Sequence, residues 1–99
     1  RGAIDKAGEN GSWYIDQTER WHCPAFPVEV KDTTAAGDSF NAGFAWALAE
    51  GMSVSESLRF ANAVGGLSTT RVGAQEAMPN ISTVQDLLRA WPKIAPRRL

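Results

Sequence analysis

Asp38 holds the chemically most suggestive position in this chain. It follows Ala35, Ala36 and Gly37, a run without a bulky side chain, and stands where a helical pattern opens through Ser39-Phe40-Asn41-Ala42-Gly43-Phe44. Ahead of it lie Asp32-Thr33-Thr34 and an extended apolar stretch, Phe26-Pro27-Val28-Glu29-Val30. A strand, a tight small-residue turn and a helix start together bring backbone against an anion. The first N–H groups of a helix lack intrahelical partners, and the helix dipole favours negative charge there. Ala35, Ala36 and Gly37 leave room for a phosphate. A carboxylate beside that anion is a second negative charge, which suits a base facing the phosphoryl group it helps to transfer. The plainer role, complementing the helix dipole, is worth about 0.3–1 kcal/mol. That role needs neither the small-residue run nor the preceding Asp32.

The other candidates divide less sharply. Asp32 suits a turn cap, its oxygens accepting from nearby N–H groups. Asn62 lies on the polar side of a helical pattern, where a solvated residue is the simplest expectation. Gly8-Glu9-Asn10-Gly11 reads as a turn. His22-Cys23 has no third ligand or catalytic partner spaced with it, so the pair reads as strand residues. Arg71 reads as a loop ion pair rather than a phosphate clamp. The tryptophans at 13, 21, 46 and 91 lack interleaved basic residues and read as core and interface.

From Asp32 to Asp38, with Phe40 and Gly43 beyond, the chain resembles the C-terminal signature of the ribokinase/PfkB carbohydrate-kinase family. The double-Ala form, Ala35-Ala36, is most similar to ribokinases, and Thr70-Arg71-Val72-Gly73-Ala74-Gln75 through Pro79 extends the likeness. The resemblance implies an α/β fold, the C-terminal part of a ribokinase-like three-layer architecture, with residues 1–99 as its nucleotide-side fragment. It implies that Asp38 is the catalytic base and that the amides of Ala35, Ala36, Gly37 and Asp38 form an anion hole. ATP with Mg2+ is the implied phosphoryl donor. A monovalent cation, K+, is implied on Asp32, the Thr34 carbonyl and oxygens of the loop carrying Ser68, Arg71 and Gly73. Ala77 departs from the pattern, which has Ser there. Asn62 matches a nucleotide-contacting position near the adenine, and Gly8 and Gly11 match a Gly-containing nucleotide loop. The family's sugar pocket, lid and magnesium motif belong to an N-terminal part that precedes these residues.

The elements that must position Asp38 follow from pattern. Ser12-Trp13-Tyr14-Ile15 and Arg20-Trp21-His22-Cys23 read as paired strands around the polar turn Asp16–Glu19. Pro24 and Pro27 keep the next segment extended until Val28-Glu29-Val30, a further strand. Phe40, Phe44, Ala47 and Leu48 fall on one helical face, with Asn41 and Trp46 off it, and Gly51 suits the residue past the helix end. Ser53-Val54-Ser55-Glu56 is a capping box opening a helix to about Ser68, with Val54, Leu58, Ala61, Val64 and Gly65 on its apolar face. Gly65-Gly66 costs about 1 kcal/mol per Gly relative to Ala, which implies close packing. Thr69 to Pro79 is a loop pivoting on Gly73. Ser82-Thr83-Val84-Gln85 repeats the capping-box pattern before a helix carrying Val84, Leu87, Leu88 and Trp91, which Pro92 ends. The tail Ala95-Pro96-Arg97-Arg98-Leu99 reads as frayed.

Composition limits the remaining choices. The 99 residues are 43% hydrophobic and 21% charged, ordinary for a globular chain, and form one domain or a piece of one. A chain this short buries only about 60–65% of its unfolded surface. A net charge of -1 and a pI near 5.8 give nucleic acid no basic surface. No apolar run approaches a membrane span, and the start carries neither a signal-peptide core nor an initiator Met, as in a chain cut from something longer. One cysteine permits no internal disulfide, so a reducing cytoplasm is the expected compartment. The expected partners are ATP and a small sugar, with no nucleic acid and no membrane. Apolar helix faces left uncovered imply a homodimer or association with the missing N-terminal portion. The expected activity is ATP-dependent phosphoryl transfer to a sugar hydroxyl. The 99 residues alone are expected to be inactive. The alternatives are a non-catalytic anion-binding fragment and a relative acting on a nucleoside or vitamin-type alcohol.

Overall fold

The computed structural model describes residues 3–6, 10–71 and 79–99, the first of these segments by backbone alone. Strands β1 (Ala3–Lys6), β2 (Ser12–Ile15) and β3 (Arg20–Cys23) precede helices α1 (Ala36–Ala49), α2 (Val54–Ser68) and α3 (Ile81–Ala90), and β4 (Arg97–Arg98) closes the chain. The strands form one antiparallel sheet in the order β1-β2-β3-β4.

The β2–β3 hairpin turns on Asp16. Its Oδ1 accepts from the N–H groups of Thr18 (2.8 Å) and Glu19 (2.7 Å), and Tyr14 donates its hydroxyl to Oδ2 (3.0 Å). These bonds hold the Asp16 carboxyl down, to about 2, the Thr18 and Glu19 amides being the main cause. The register pairs Ser12 with Cys23 and Tyr14 with Trp21. With a side-chain period of two, Ser12 and Tyr14 therefore turn inward. Tyr14 stacks on Phe44 of α1 at 5.8 Å, while Trp13 and His22 pair on the other face at 4.5 Å.

Helix α2 is the centre of the molecule. One face meets α1 and the ribbon through Leu58 and Ala61, which cluster with Tyr14, Cys23, Phe40 and Phe44. The other meets α3 and the extended segment through Phe60, Ala63 and Val64, which cluster with Phe26, Ala47 and Val84. The expected capping box is present: Glu56 N–H donates to Ser53 Oγ (3.1 Å) and Ser53 N–H to Glu56 Oε1 (3.0 Å). The expected end of α2 at Ser68 is observed. Gly43 explains how closely α1 approaches: a Cβ there would lie 2.9 Å from Val64 Cγ2. At Gly65 a Cβ would sit 3.4 Å from both the Ala36 carbonyl and Phe40 Cβ, an ordinary contact distance, so the close packing expected at Gly65-Gly66 does not by itself demand glycine. Gly51 takes φ +90°, as a residue just past a helix end commonly does.

Several expectations from sequence are corrected. Residues 28–30 form no strand and join no ladder among the described residues. Segment 3–6, which carries no strand signal of its own, forms β1. The third helix starts at Ile81 with Asn80 as its cap, accepting from Ser82 N–H at 2.8 Å, so Ser82 is a capped residue and not the cap. Leu48 is exposed, while Trp46, off the expected stripe, stacks on Phe60 at 5.1 Å. The tail is not frayed: Arg97 and Arg98 pair with β3, Leu99 N–H donates to the Arg20 carbonyl (3.0 Å), and Arg98 lies over the Trp21 ring. Arg59 fixes the approach to that tail, donating to the carbonyls of Leu88 (3.0 Å), Trp91 (2.9 Å) and Ile94 (2.5 Å). No helix among the described residues is long and apolar enough to cross a membrane.

Candidate functional site

The turn ahead of α1 is built by Asp32. Its Oδ1 accepts from Thr34 N–H (2.9 Å) and from Thr34 Oγ1 (2.6 Å), folding the chain back on itself before the helix. Lys31 and Asp32 both donate their N–H groups to the carbonyl of Thr69, at 2.7 and 3.1 Å. The turn is thereby fastened to the C-terminal end of α2, which brings Asp32, Thr34 and Ser68 to one end of the molecule.

Helix α1 begins without a side-chain cap, since Ala35 occupies that position. Among the described residues the N–H groups of Ala35, Gly37 and Asp38 have no hydrogen-bond partner, whereas Ala36 N–H donates to the Thr33 carbonyl (3.1 Å). Of the four amides expected to form an anion hole, that of Ala36 is thus already partnered. The other three amides remain at the positive end of the helix, with the Asp38 carboxylate exposed in its first turn. Among the described residues a Cβ on Gly37 would meet nothing within 4 Å, so their packing does not require glycine there.

Ala36 and Gly37, in this first turn, line a cavity of about 700 Å³. Asn62, Gly65 and Gly66 of α2 form its base, Gly11 and Ser12 one wall, and Phe26, Pro27, Val28 and Val30 an apolar side. Ala36, Gly37 and Phe40 close the end nearest the turn. Gly11, at φ +90°, brings its backbone so close to Cys23 and Pro24 that no side chain fits. Asn62 is not solvated. Its Nδ2 donates to the carbonyls of Cys23 and Pro24, both at 2.9 Å, and Ser12 donates its hydroxyl to Oδ1 (2.5 Å). Burial raises the Cys23 thiol to about 11.

The structure thus brings Gly11, Ala36, Gly37 and Asn62 to the lining of one cavity, while Ala35 and Asp38 flank Ala36 and Gly37 in the chain without lining it. Gly8 and Gly73 lie outside the described residues. Arg71 is exposed at the end of the described loop, and the hydroxyl of Ser68 is committed to the Gly65 carbonyl (2.7 Å). The described residues contain no group of three or more His, Cys, Asp or Glu fit for a metal ion. Sequence reasoning passed over Ser12, Phe26 and the Thr69 carbonyl. Ser12 is 50 residues from its partner Asn62, and no local pattern carries such a pairing.

A family model described as pfkB family carbohydrate kinase matches residues 3–81. Ribokinase of Bacillus subtilis (strain 168) is 48% identical over 81 residues, which are 82% of this chain and 28% of that protein. The Arabidopsis thaliana ribokinase solved with ribose and ATP aligns with a TM-score of 0.83 and 40% identity, over 89% of this chain and 29% of that one. A putative ribokinase II from E. coli, solved with ATP and Mg2+, aligns with a TM-score of 0.86 and 30% identity, over 91% of this chain and 29% of that one. This chain therefore has the ribokinase fold and spans less than a third of each of these proteins. It belongs to the pfkB family of carbohydrate kinases.

Proposed function

We propose that these residues are the C-terminal, nucleotide-side part of an ATP-dependent sugar kinase, and that Asp38 is the base that takes the proton from the acceptor hydroxyl. One observation carries this reading: three unpartnered N–H groups converge at the start of α1, directly before an exposed carboxylate, at the end of a cavity large enough for a nucleotide. Phosphoryl transfer asks a protein mainly for positioning and charge stabilisation. The amides of Ala35, Gly37 and Asp38 would hold the oxygens of the transferring group, and the apolar side of the cavity, with Phe26 and Val28, would take the base. Asp38 would accept the proton of a hydroxyl brought in line with that group.

Magnesium bound with the nucleotide would supply charge neutralisation, and its protein ligands would come from the family's N-terminal part. For a monovalent cation the oxygen set fits in part. Asp32, the Thr34 carbonyl (unpartnered among the described residues) and the end of α2 at Ser68 lie at one end of the molecule, and they would hold the turn from behind. Arg71 would contribute its carbonyl, as would Gly73. The acceptor-selecting residues fall in the remaining two-thirds of a family-sized enzyme, so a nucleoside or vitamin-type alcohol is the alternative acceptor. Association with that remainder, or with a second copy, would cover Val30, 59% exposed beside the cavity. A buried, unpaired Cys23 suits a reducing cytoplasm.

The test is titration of the purified chain with MgATP and with tripolyphosphate. Both should bind. Asp38→Asn should bind either anion at least as tightly, since it removes a negative charge from the helix start. Loss of anion binding in Asp38→Asn would refute the role of base. The chain alone should release no ADP in a sugar-dependent manner.

A further inference from the structure

The side-chain amide of Asn62 has an unusual allocation of bonds for a residue lining a ligand cavity. Both of its N–H donors are spent, one each on the Cys23 and Pro24 carbonyls at 2.9 Å. Those two partners can only accept, so the NH2 end must face them and the amide cannot be reversed. Its carbonyl end takes the Ser12 hydroxyl, whose side chain is 1% exposed. One acceptor lone pair is left, and no donor. The three anchored residues bracket the chain on both sides of the cavity wall. Ser12 follows Gly11, and Pro24 precedes Ala25 and Phe26, all of which line the space. Strands β2 and β3 are thereby tied to α2 through a single side chain.

We propose that Asn62 is a positioning residue: it sets the wall between the β-ribbon and α2 and so governs how tightly the cavity takes a purine nucleotide, without itself bonding the base. The inference rests on the reading of this cavity as a nucleotide site. A residue that bonded the base would discriminate between adenine, which has an exocyclic amine, and hypoxanthine, which has a carbonyl in its place. A residue that sets the wall affects both alike. It leaves untouched an anion held only by the α1 amides, at the far end of the cavity.

Three probes separate these roles in the full 99-residue chain: MgATP, MgITP and tripolyphosphate. In Asn62→Ala the affinities for MgATP and MgITP should fall by the same factor, about tenfold, as a buried network loses its anchor. Tripolyphosphate affinity should be unchanged. Ser12→Ala, a milder change that keeps both carbonyl bonds, should give a smaller loss in the same ratio. Asn62→Asp, which keeps the acceptor but loses both donors, should be no better than Asn62→Ala. Loss confined to MgATP would make Asn62 a base contact and overturn the proposal. Equal loss of all three probes would reduce Asn62 to a fold residue, and no loss would remove it from the site; either result overturns it. A parent chain that binds tripolyphosphate but neither nucleotide fails before any variant is made, and that result overturns the nucleotide reading and this inference together.

Discussion

Replacing Gly37 by alanine separates what the fold needs from what the site needs. Gly37 lies in the first turn of α1, and a Cβ built on it meets nothing within 4 Å. Nothing among the described residues resists the methyl group, and alanine is favoured over glycine in a helix by about 0.8–1.0 kcal/mol. The variant should therefore be at least as stable as the parent, by up to about 1 kcal/mol. For a domain of this size that corresponds to a rise of up to about 4–8 °C in Tm. The site fares differently. A Cα–Cβ bond leans toward the N-terminal end of its helix, so the methyl enters the space into which the N–H groups of Ala35, Gly37 and Asp38 open. An oxygen accepting from those groups approaches to about 2.9 Å, a distance that the methyl denies it. Losing one or two bonds to a charged acceptor, at about 1.5–3 kcal/mol each, lowers anion affinity by at least about tenfold. Thermal melts without ligand and calorimetric titration with tripolyphosphate measure the two effects. Unchanged affinity in Gly37→Ala would refute the placement of the anion, and a fall in Tm would refute the claim that the fold leaves this position open.

Gly43→Ala should behave in the opposite way. The methyl would be driven to 2.9 Å from Val64 Cγ2, and overpacking of about 1–3 kcal/mol outweighs the helical gain of about 1 kcal/mol. Urea unfolding should show a lower midpoint, and combination with Val64→Ala should cost less than the sum of the two single changes. Arg59→Met removes three bonds to the carbonyls of Leu88, Trp91 and Ile94. It should destabilise the chain by about 1.5–3 kcal/mol and raise hydrogen exchange at Arg97 and Arg98 before that of α1. Asp16 gives a pH signature. Its folded value lies below its unfolded one, so its stabilisation is complete above about 3.8 and is lost as pH falls toward about 2. Trp21 fluorescence should report hairpin loosening in that window, and Asp16→Ala should remove the transition.

The helices were legible because each carries its own punctuation. Ser53 and Glu56 mark the start of α2, and Gly51 marks the end of α1. The turn at Asp32 and the small residues before Asp38 were legible for the same reason, as neighbours in sequence. What escaped notice depends on distant partners. Segment 3–6 becomes a strand because Ser12–Ile15 is there to pair with it, and Arg97-Arg98 becomes one because β3 has a free edge. Trp46 packs and Leu48 does not because Phe60 lies on one side of α1 only. Asn62 looked solvated because a helical wheel shows its polar neighbours and not the carbonyls of Cys23 and Pro24. The start of α3 was misplaced by two residues because Asn80 and Ser82 are both good caps, and only the backbone geometry selects Asn80. The extended stretch Val28–Val30 has strand composition, and the described residues offer it no ladder to join.

The carbonyl oxygen of Thr69 holds two N–H groups at once. It acts as a pin through two plates: the last turn of α2 and the bend that delivers the chain to Asp38 cannot slide past each other without loosening both bonds. A push on that end of α2 is passed on to the backbone ahead of α1 as a displacement and is not absorbed in slack. The geometry of the turn ahead of α1 is thus set as much by the far tip of a neighbouring helix as by the helix that carries Asp38.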